Sequence, residues 1–426
     1  MPPPNLSSAT RKSSPKVRAI QYVVVSVASI FGLMAWFLLE RLAQEQIMEE
    51  ALQDNPLFSA DGRSKHTSSI PEKKEVEHTA DDPFDLDYDA VYARAYKSWP
   101  EDRPFPCFPT DGFLNRPKGH LMLVKPALNG AGLFFHRPHK TGSTTVAGTV
   151  MRIAHRKKHL VQGDAPTRAC RHRANHGSAH KDFKYQDRDR ENSFLFSIIR
   201  DPAKRATSQF FHFNVVVGQK EPTDANFQKE MMHSRVGHYY IRDMSFRSVT
   251  DPKKENLNSL VKEIIDGYDF IGITERMDES LVVFKMLLGL DLEDILYVRE
   301  RSHGSFSNGP PVTRPCIYVW PSFLTKGMKA FFASEKWMNH MKGDYMLFEA
   351  AKKSLDLTID RLGRAKVEKE VKRFKAALKI AEEICAPRAI SMCRDDGFRV
   401  NQTTCYIWGE GCSHDCLDEI KIPDAL

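Results

Sequence analysis

The sequence predicts an α/β fold in which a mostly parallel sheet is flanked by helices. Short apolar runs such as Phe194–Ile199 have the composition of strands that are buried on both faces of a parallel sheet. A segment with the apolar spacing of a helix follows each of the main runs. Polar loops join strand to helix, and ligands of such folds bind beyond the carboxyl ends of the strands.

The predicted elements alternate along the middle of the chain. The candidate strands are Leu133–His136, Phe194–Ile199, Phe270–Thr274 and Ile295–Tyr297. The helices are predicted at about 144–157, 202–214, 278–288, 322–333 and 343–355. A strongly charged amphipathic helix, Arg364–Ile384, then leads into a cysteine-rich tail.

An uncharged segment near the start predicts a membrane anchor. Ala19–Leu39 contains no charged residue, and as a helix it would span about 32 Å, enough for a bilayer core. Four basic residues and no acidic residue precede it, which predicts a cytosolic tail at 1–18 and a luminal remainder. A cleaved signal peptide is the alternative, but the apolar run is long and Glu40-Arg41 is a poor cleavage site.

The rest of the chain divides into a stem, a large α/β domain and a C-terminal appendage. Residues 40–115 are predicted as a stem, because much of this stretch is polar and charged with few large apolar residues. Within it, Tyr88–Trp99 is predicted as a short helix that docks on the domain. The domain is placed at 116–362, and a helix with a cysteine-rich appendage at 363–426.

Eight cysteines all follow the membrane segment, which suits disulfides in an oxidising lumen. Five of them lie in the last 42 residues, so the tail is predicted to be held together by disulfides. A zinc site that uses Cys412, His414 and Cys416 is the alternative, although the spacing matches no strong template. Asn401-Gln-Thr403 is a luminal glycosylation sequon.

The loop after the first strand has the chemistry of a phosphate site. Residues 134–145 read Phe-Phe-His-Arg-Pro-His-Lys-Thr-Gly-Ser-Thr-Thr and run directly into a helix pattern. Backbone amides, a helix N-terminus, an ammonium and several hydroxyls would meet at one point. The loop is P-loop-like but is not a Walker A motif, because Lys140 precedes Gly142.

A second loop follows the next strand. Arg200 ends the apolar run, Asp201 and Pro202 are a good helix start, and Ser208 lies about two turns further on. The alternative is that the arginine pairs with Asp201 and the serine is exposed on a helix surface. That alternative does not explain why the two loops occur together in one chain.

Together the two loops resemble the cofactor-binding elements of sulfotransferases that use PAPS (3′-phosphoadenosine 5′-phosphosulfate). The chain is more narrowly similar to Golgi membrane-bound carbohydrate sulfotransferases of the uronyl 2-O- and galactose 3-O- type. The segment Phe270–Leu281, Phe-Ile-Gly-Ile-Thr-Glu-Arg-Met-Asp-Glu-Ser-Leu, resembles one common in that group. The resemblance covers roughly residues 130–362.

The resemblance implies roles for particular residues. Lys140 would stabilise charge on the leaving phosphate, and Arg200 and Ser208 would hold the 3′ phosphate, with Arg205 as a further candidate or a solvated charge. No metal is expected, because a sulfuryl group carries less charge than a phosphoryl group. The 5′ phosphate would be wrapped by Thr141, Gly142, Ser143, Thr144 and Thr145.

A general base must take the proton from the acceptor hydroxyl, and histidine suits this role. Related 2-O-sulfotransferases carry a His-Gly-His pair in the segment between the two loops, whereas this chain reads His176-Gly177-Ser178. His176 is the first candidate and His180 the second. The alternative is that these histidines belong to a polar loop with no catalytic role. Glu275 is another candidate base, unless its carboxylate pairs with Arg276.

The acceptor is predicted to be a glycan in the secretory lumen, and a basic run could steer an anionic one or be a solvated face. The run comprises Arg152, His155, Arg156, Lys157, Lys158 and His159. A formal net charge of +7 does not argue for nucleic acid. Sulfation of protein tyrosine or a lipid hydroxyl, a P-loop kinase and an inactive glycan-binding relative are the alternatives. The oligomeric state stays open.

Overall fold

The computed structural model describes residues that all lie within one compact unit, Ala80–Leu426. The described residues are 91–103, 105–106, 132–157, 172–175, 178–180, 184–298, 306–307, 316–319, 321–391, 393–394, 397–400, 403–405 and 412–423. Among the helices that these residues form, none combines the length and apolar composition of a membrane span. The predicted anchor, Ala19–Leu39, lies outside the described residues.

The centre of the fold is a parallel four-stranded sheet with the strand order β2-β1-β3-β4. The strands are β1 Gly132–His136, β2 His172–Asn175, β3 Ser193–Ile199 and β4 Phe270–Ile273. A separate antiparallel pair joins β5, Phe306–Ser307, to β6, Ile317–Tyr318. Every residue of β1, β3 and β4 is buried, which explains why the predictions of these three strands are confirmed.

Helices flank this sheet, and several are longer or shorter than predicted. The α-helices are α1 Ser143–Arg156, α2 Pro202–Gln209, α3 Asp224–Met231, α4 Tyr239–Met244, α5 Leu257–Gly267, α6 Met277–Leu288, α7 Lys326–Phe332, α8 Glu335–Leu362, α9 Arg364–Cys385 and α10 His414–Glu419. The helix predicted at 343–355 is the long α8, because Ser334 caps its start and Gly363 ends it. The helix predicted at 202–214 is α2 continued by a π-helix, Phe210–Val217.

Two apolar cores hold these elements together. The larger core surrounds the sheet and includes inward-facing residues of α1, α5, α6, α8 and α9. The smaller core joins the π-helix to α3, α7 and the start of α8 through Phe210, Phe227 and Trp337. This core buries Phe210 and Phe211, the first two residues of the π-helix.

Two local predictions are wrong. The proposed strand at Ile295–Tyr297 is instead the end of a 3₁₀ turn, Glu293–Ile295, followed by an extended segment. Ile295 and Leu296 are buried by the core rather than by strand pairing. The described part of the predicted helix Tyr88–Trp99 forms no helix. It does dock on the domain, because Tyr96 is fully buried and its backbone N–H donates to Thr358 Oγ1 at 2.9 Å.

The C-terminal tail is covalently tied to the domain. Disulfides join Cys316 to Cys393, Cys385 to Cys416 and Cys405 to Cys412. The alternative of a zinc site at Cys412, His414 and Cys416 is therefore wrong, because both of its sulfurs are in disulfides. The prediction of a tail held together by disulfides is confirmed for the described residues, and one bond reaches outside the tail to Cys316.

A buried arginine attaches the tail to the helix that follows the first loop. Arg152 of α1 donates to Asp418 Oδ1 at 2.8 Å and to the Leu417 carbonyl at 2.9 Å. Its guanidinium also donates to the carbonyl of Leu296 at 3.3 Å. The tail thus packs on α1 and contributes to the domain that carries the site.

Candidate active site

Three loops leave the sheet at one edge, because β1, β3 and β4 are adjacent and parallel. The register places His136 opposite Ser197 and Ile199 opposite Ile273. Lys140, Arg200 and Thr274 therefore follow three neighbouring strand ends. This is the edge of an open α/β sheet where ligands bind.

The first loop turns sharply before α1. Lys140 and Gly142 both have left-handed backbone conformations, with φ of 68° and 70°. A lysine is rarely found there, so the surrounding structure must hold it in place. Two buried hydroxyls do so, because Thr141 Oγ1 and Ser143 Oγ donate to the Pro138 carbonyl at 3.0 Å and 3.4 Å.

The start of α1 is open to an anion. Its N-cap is Gly142, which has no side chain to accept from the first amides, and its first turn has no acidic residue. By contrast, the start of α2 is capped by Asp201, which accepts from the Lys204 N–H at 2.8 Å. The first-turn amides of α1, together with the half-buried Thr144 and Thr145, fit a phosphate.

The second loop presents Arg200 beside an acidic residue. The Arg200 side chain is 31% exposed, and its Nε lies 3.9 Å from Glu275 Oε1. Glu275 also accepts from the Asp201 N–H at 3.3 Å. Glu275 does not pair with Arg276, which instead binds Glu279 and Asp356. Ser208 is half-buried in α2, and its hydroxyl makes no hydrogen bond to any described residue.

The third loop connects the first two. Thr274 Oγ1 lies 2.7 Å from the Thr141 carbonyl and 3.0 Å from the Ile199 carbonyl. One hydroxyl proton is therefore shared between the loop of Lys140 and the last residue of β3, which directly precedes Arg200. Thr274 lies in the segment Phe270–Leu281, which the sequence analysis singled out without giving this threonine a role.

Two consecutive tyrosines of α4, which the sequence analysis missed, hold both loops from the other side. Tyr239 Oη accepts from the His139 N–H at 2.9 Å, and Tyr240 Oη accepts from the Arg200 N–H at the same distance. Burial raises the pKa of both phenols. The fully buried Arg205 guanidinium lies over both rings, 4.1 Å and 5.4 Å from their centroids. Arg205 is thus neither a solvated charge nor at the surface.

His139 is a further residue that the sequence analysis did not single out, although it directly precedes Lys140. Burial lowers the pKa of its imidazole, Asp243 opposes that shift, and nearby cations including Arg205 reinforce it. The ring meets the exposed Phe213 of the π-helix edge-on, with 6.0 Å between centroids. A neutral imidazole beside the lysine can accept a proton.

The two histidines that were predicted as bases have different outcomes. His176 lies outside the described residues. His180 contacts the far end of α4, where its Nδ1 lies 3.3 Å from the Ser245 carbonyl. The loops of Lys140 and Arg200 contact the start of the same helix through Tyr239 and Tyr240.

The described part of the basic run is neutralised within the fold. Arg156 Nε lies 2.6 Å from Asp294 Oδ1, and Lys157 Nζ lies 2.8 Å from Asp294 Oδ2. Arg152 is buried against Asp418. For these three residues the steering hypothesis is wrong, because each charge is already paired, and they do not form a solvated face either. No group of three or more potential metal ligands occurs among the residues that the structure describes.

The comparison with known proteins agrees with this architecture. A family profile described as galactose-3-O-sulfotransferase matches residues 120–404, more than half of the chain. Galactose-3-O-sulfotransferase 3 of Bos taurus is 24% identical over 324 residues, which cover 67% of this chain and 69% of that protein. Galactosylceramide sulfotransferase of Homo sapiens is 25% identical over 201 residues, which cover 39% of this chain and 47% of that protein. The chain therefore belongs to the galactose-3-O-sulfotransferase family and is a carbohydrate sulfotransferase.

Proposed function

We propose that the protein transfers a sulfuryl group from PAPS to a hydroxyl of a galactose-containing glycan in the lumen of the Golgi. The observation that carries this proposal is the junction of two anion-binding loops at neighbouring strand ends, joined by Thr274. One loop fits a 5′ phosphate and the other a 3′ phosphate. A nucleotide with phosphates at both positions would bind across the two loops.

The donor site divides between these loops. The first-turn amides of α1, with Gly142, Thr144 and Thr145, hold the 5′ phosphate. Thr141 and Ser143 shape the loop, because their hydroxyls already donate to Pro138. Arg200 and Ser208 hold the 3′ phosphate. PAPS supplies the sulfuryl group, and the Lys140 ammonium stabilises the charge that develops on the leaving phosphate oxygen.

The acceptor hydroxyl loses its proton to a histidine. His139 joins His176 and His180 as a candidate base, and its position beside Lys140 and its lowered pKa favour it. A base that is neutral at luminal pH can accept a proton as the hydroxyl attacks. The exposed ring of Phe213 beside it offers an apolar surface on which a sugar ring can pack.

Two kinds of acceptor are consistent with the relatives. The relatives include a galactose-3-O-sulfotransferase and a galactosylceramide sulfotransferase. We favour a protein-linked or free glycan, because the match to the former covers more of the chain. A lipid-linked galactose is the second candidate. An anchor at Ala19–Leu39 and a luminal domain complete the proposal.

The test is calorimetric titration of the full-length protein with PAP, the desulfated product of PAPS, and with AMP, which lacks the 3′ phosphate. We expect PAP to bind and AMP to bind at least tenfold more weakly, because only PAP engages Arg200. Arg200→Ala should remove this preference, whereas Lys140→Ala should abolish sulfation of a galactose-terminated oligosaccharide. Equal affinity for PAP and AMP in the unaltered protein would reject the assignment of the two loops.

A further inference from the structure

A separate cavity of about 600 Å³ lies between the start of α5 and the first half of α8. Residues of α5 and α8 line it together with His238, the residue that precedes Tyr239 and Tyr240. None of the residues assigned to the donor loops is among its lining residues. The cavity has no role in the sulfotransferase reaction proposed above.

A fixed hydrogen-bond donor forms part of the cavity wall. His238 is 4% exposed, and its Nδ1 accepts from the Gly343 N–H at 3.2 Å. A ring nitrogen that accepts carries no proton, so the neutral imidazole carries its proton on Nε2. Burial lowers the pKa of His238 to about 4, with nearby His340 and Arg242 adding to the shift, so this tautomer persists at neutral pH.

The Nε2–H group has no acceptor within the described part of the chain. The hydrogen bond of the ring is made by Nδ1, and Nε2 is not one of the buried side-chain atoms that lack a partner, so it is accessible. Because His238 lines the cavity, we take this donor to be available to a molecule bound there. Because the group is accessible, water or a ligand can supply its acceptor.

The charge around the cavity is positive. Lys253 and Lys342 line it, and neither forms an ion pair with a described residue. Glu255, the one acidic residue among the lining residues, is already engaged by Arg247 in two hydrogen bonds of 3.0 Å and 2.8 Å. The N-terminus of α5 is already capped at this cavity, because the Asn256 side chain accepts from the Ser259 N–H at 3.1 Å.

The size and the remaining lining fit a sugar better than a bare anion. The volume is far larger than an isolated sulfate or phosphate requires. The amide side chain of Asn258 can bind hydroxyls, while Leu257 and Met346 offer apolar surface for a pyranose face. Asn256 and Asn339 can contribute only the amide atoms that do not already bind the Ser259 N–H and Glu335.

We propose that this cavity binds a sugar residue that carries a carboxylate or a sulfate, as a second saccharide site of the protein. The choice of a saccharide rests on the proposed function, whereas the preference for an anion rests on the cavity alone. His238 Nε2 donates to the anionic group or to a ring substituent, and Lys253 and Lys342 pair with the charge. An acidic or already sulfated portion of a glycan would thus be held apart from the donor loops.

The test measures binding to the full-length protein by ligand-observed NMR and calorimetry. The probes are methyl β-glucuronide, methyl β-galactoside 3-sulfate, neutral methyl β-glucoside and inorganic sulfate. We expect the two charged sugars to bind and the other two to bind at least about tenfold more weakly. The two charged probes distinguish a carboxylate ligand from a sulfate ligand.

Variants locate this binding. Lys253→Ala and Lys342→Ala should each weaken it by about fivefold or more, and His238→Asn by about tenfold. Asparagine tolerates the left-handed backbone of position 238, where φ is 49°, but is too short to reach the ligand. Lys369→Ala, at an exposed lysine of α9, is the matched control and should change nothing.

Several results would overturn the proposal. Inorganic sulfate that binds as tightly as the charged sugars would make this a simple anion site. Binding that Lys253→Ala, Lys342→Ala and His238→Asn leave unchanged would place the sugars elsewhere. PAP is titrated into the same samples: a protein that binds PAP but neither charged sugar rejects the cavity alone. Sugar binding without PAP binding rejects the donor site and keeps the cavity.

Discussion

Tyr240 Oη makes two hydrogen bonds to the backbone of Arg200, accepting from its N–H at 2.9 Å and donating to its carbonyl at 2.8 Å. Burial raises the pKa of this phenol, so it keeps the proton that it donates. One side chain thereby fixes both peptide groups of the residue proposed to hold the 3′ phosphate. Such support is what a precise anion site requires, because a shift of about 1 Å can be costly to function.

Tyr240→Phe should therefore weaken PAP binding without unfolding the protein. Loss of two hydrogen bonds leaves the Arg200 backbone less restrained, and we expect affinity to fall by about tenfold. Titration calorimetry would measure this. Tyr92→Phe is the control, because its hydroxyl binds Asp266 at 2.7 Å on the surface. Undiminished affinity in Tyr240→Phe would show that Arg200 needs no such restraint.

Thr274→Val should disturb both loops at once. Valine has the same shape but cannot donate to the Thr141 and Ile199 carbonyls. We expect a loss of about fivefold to tenfold in PAP affinity and a comparable loss in kcat. Thr358→Val removes another hydroxyl, one that accepts from Tyr96, and should lower thermal stability while leaving PAP affinity unchanged. Equal effects of both variants on affinity would indicate general destabilisation.

Glu275→Gln tests whether this carboxylate competes with the phosphate for nearby cations or acts as the general base. Its carboxylate lies 3.9 Å from Arg200 Nε and Lys204 Nζ, so it competes with an incoming phosphate for the same cations. Glutamine keeps an oxygen for the Asp201 N–H and removes the charge. We expect PAP affinity to rise by about twofold to fivefold, a modest change because the pair is partly exposed. A fall in kcat of about a hundredfold or more would instead identify Glu275 as the general base.

The sequence was sufficient to predict the part of the site that is local in the chain. β1, β3 and β4 are apolar runs. Arg200 directly follows β3 and Lys140 lies four residues after the end of β1, so both could be placed in loops at strand ends. Edge strand β2, His172–Asn175, was missed because it contains no apolar run. The prediction of a strand at Ile295–Tyr297 was wrong for the opposite reason, because an apolar run can be buried without pairing to another strand.

What could not be predicted depends on contacts between distant segments. Tyr239 and Tyr240 lie about 40 residues beyond Arg200, and nothing in their local pattern indicates that their hydroxyls bind two different loops. The basic run at the end of α1 resembles a surface charge cluster. Only the fold brings Asp294 and Asp418 to it.

Asp344 should give the stability a specific pH dependence. This fully buried carboxyl accepts from the Ile241 N–H at 3.2 Å, and burial raises its pKa from 3.8 to about 6 despite nearby Arg205. The folded state thus binds a proton more readily than the unfolded state between these values. Its contribution to stability is therefore largest below pH 4 and is lost as the pH rises through 6.

Asp344→Asn should remove this dependence. Relative to the variant, the unaltered protein should lose up to about 3 kcal/mol of unfolding free energy between pH 4 and pH 7. Urea unfolding at several pH values would measure the difference. Asp360→Asn, at an exposed aspartate of the same helix, is the control. If the unfolding free energies of the unaltered protein and of Asp344→Asn changed in parallel with pH, the result would contradict the raised pKa of Asp344.

Removing the disulfide between Cys385 and Cys416 should affect the donor site as well as the tail. The bond closes a loop of 31 residues, and its replacement by two serines should lower the unfolding free energy by about 3–4 kcal/mol. The bond between Cys405 and Cys412 closes only seven residues, so its removal should lower it by about 2 kcal/mol. Because Arg152 joins α1 to Leu417 and Asp418, loosening Cys416 should also increase hydrogen exchange at the amides of α1. Faster exchange confined to residues after 385 would show instead that the tail and α1 are energetically independent.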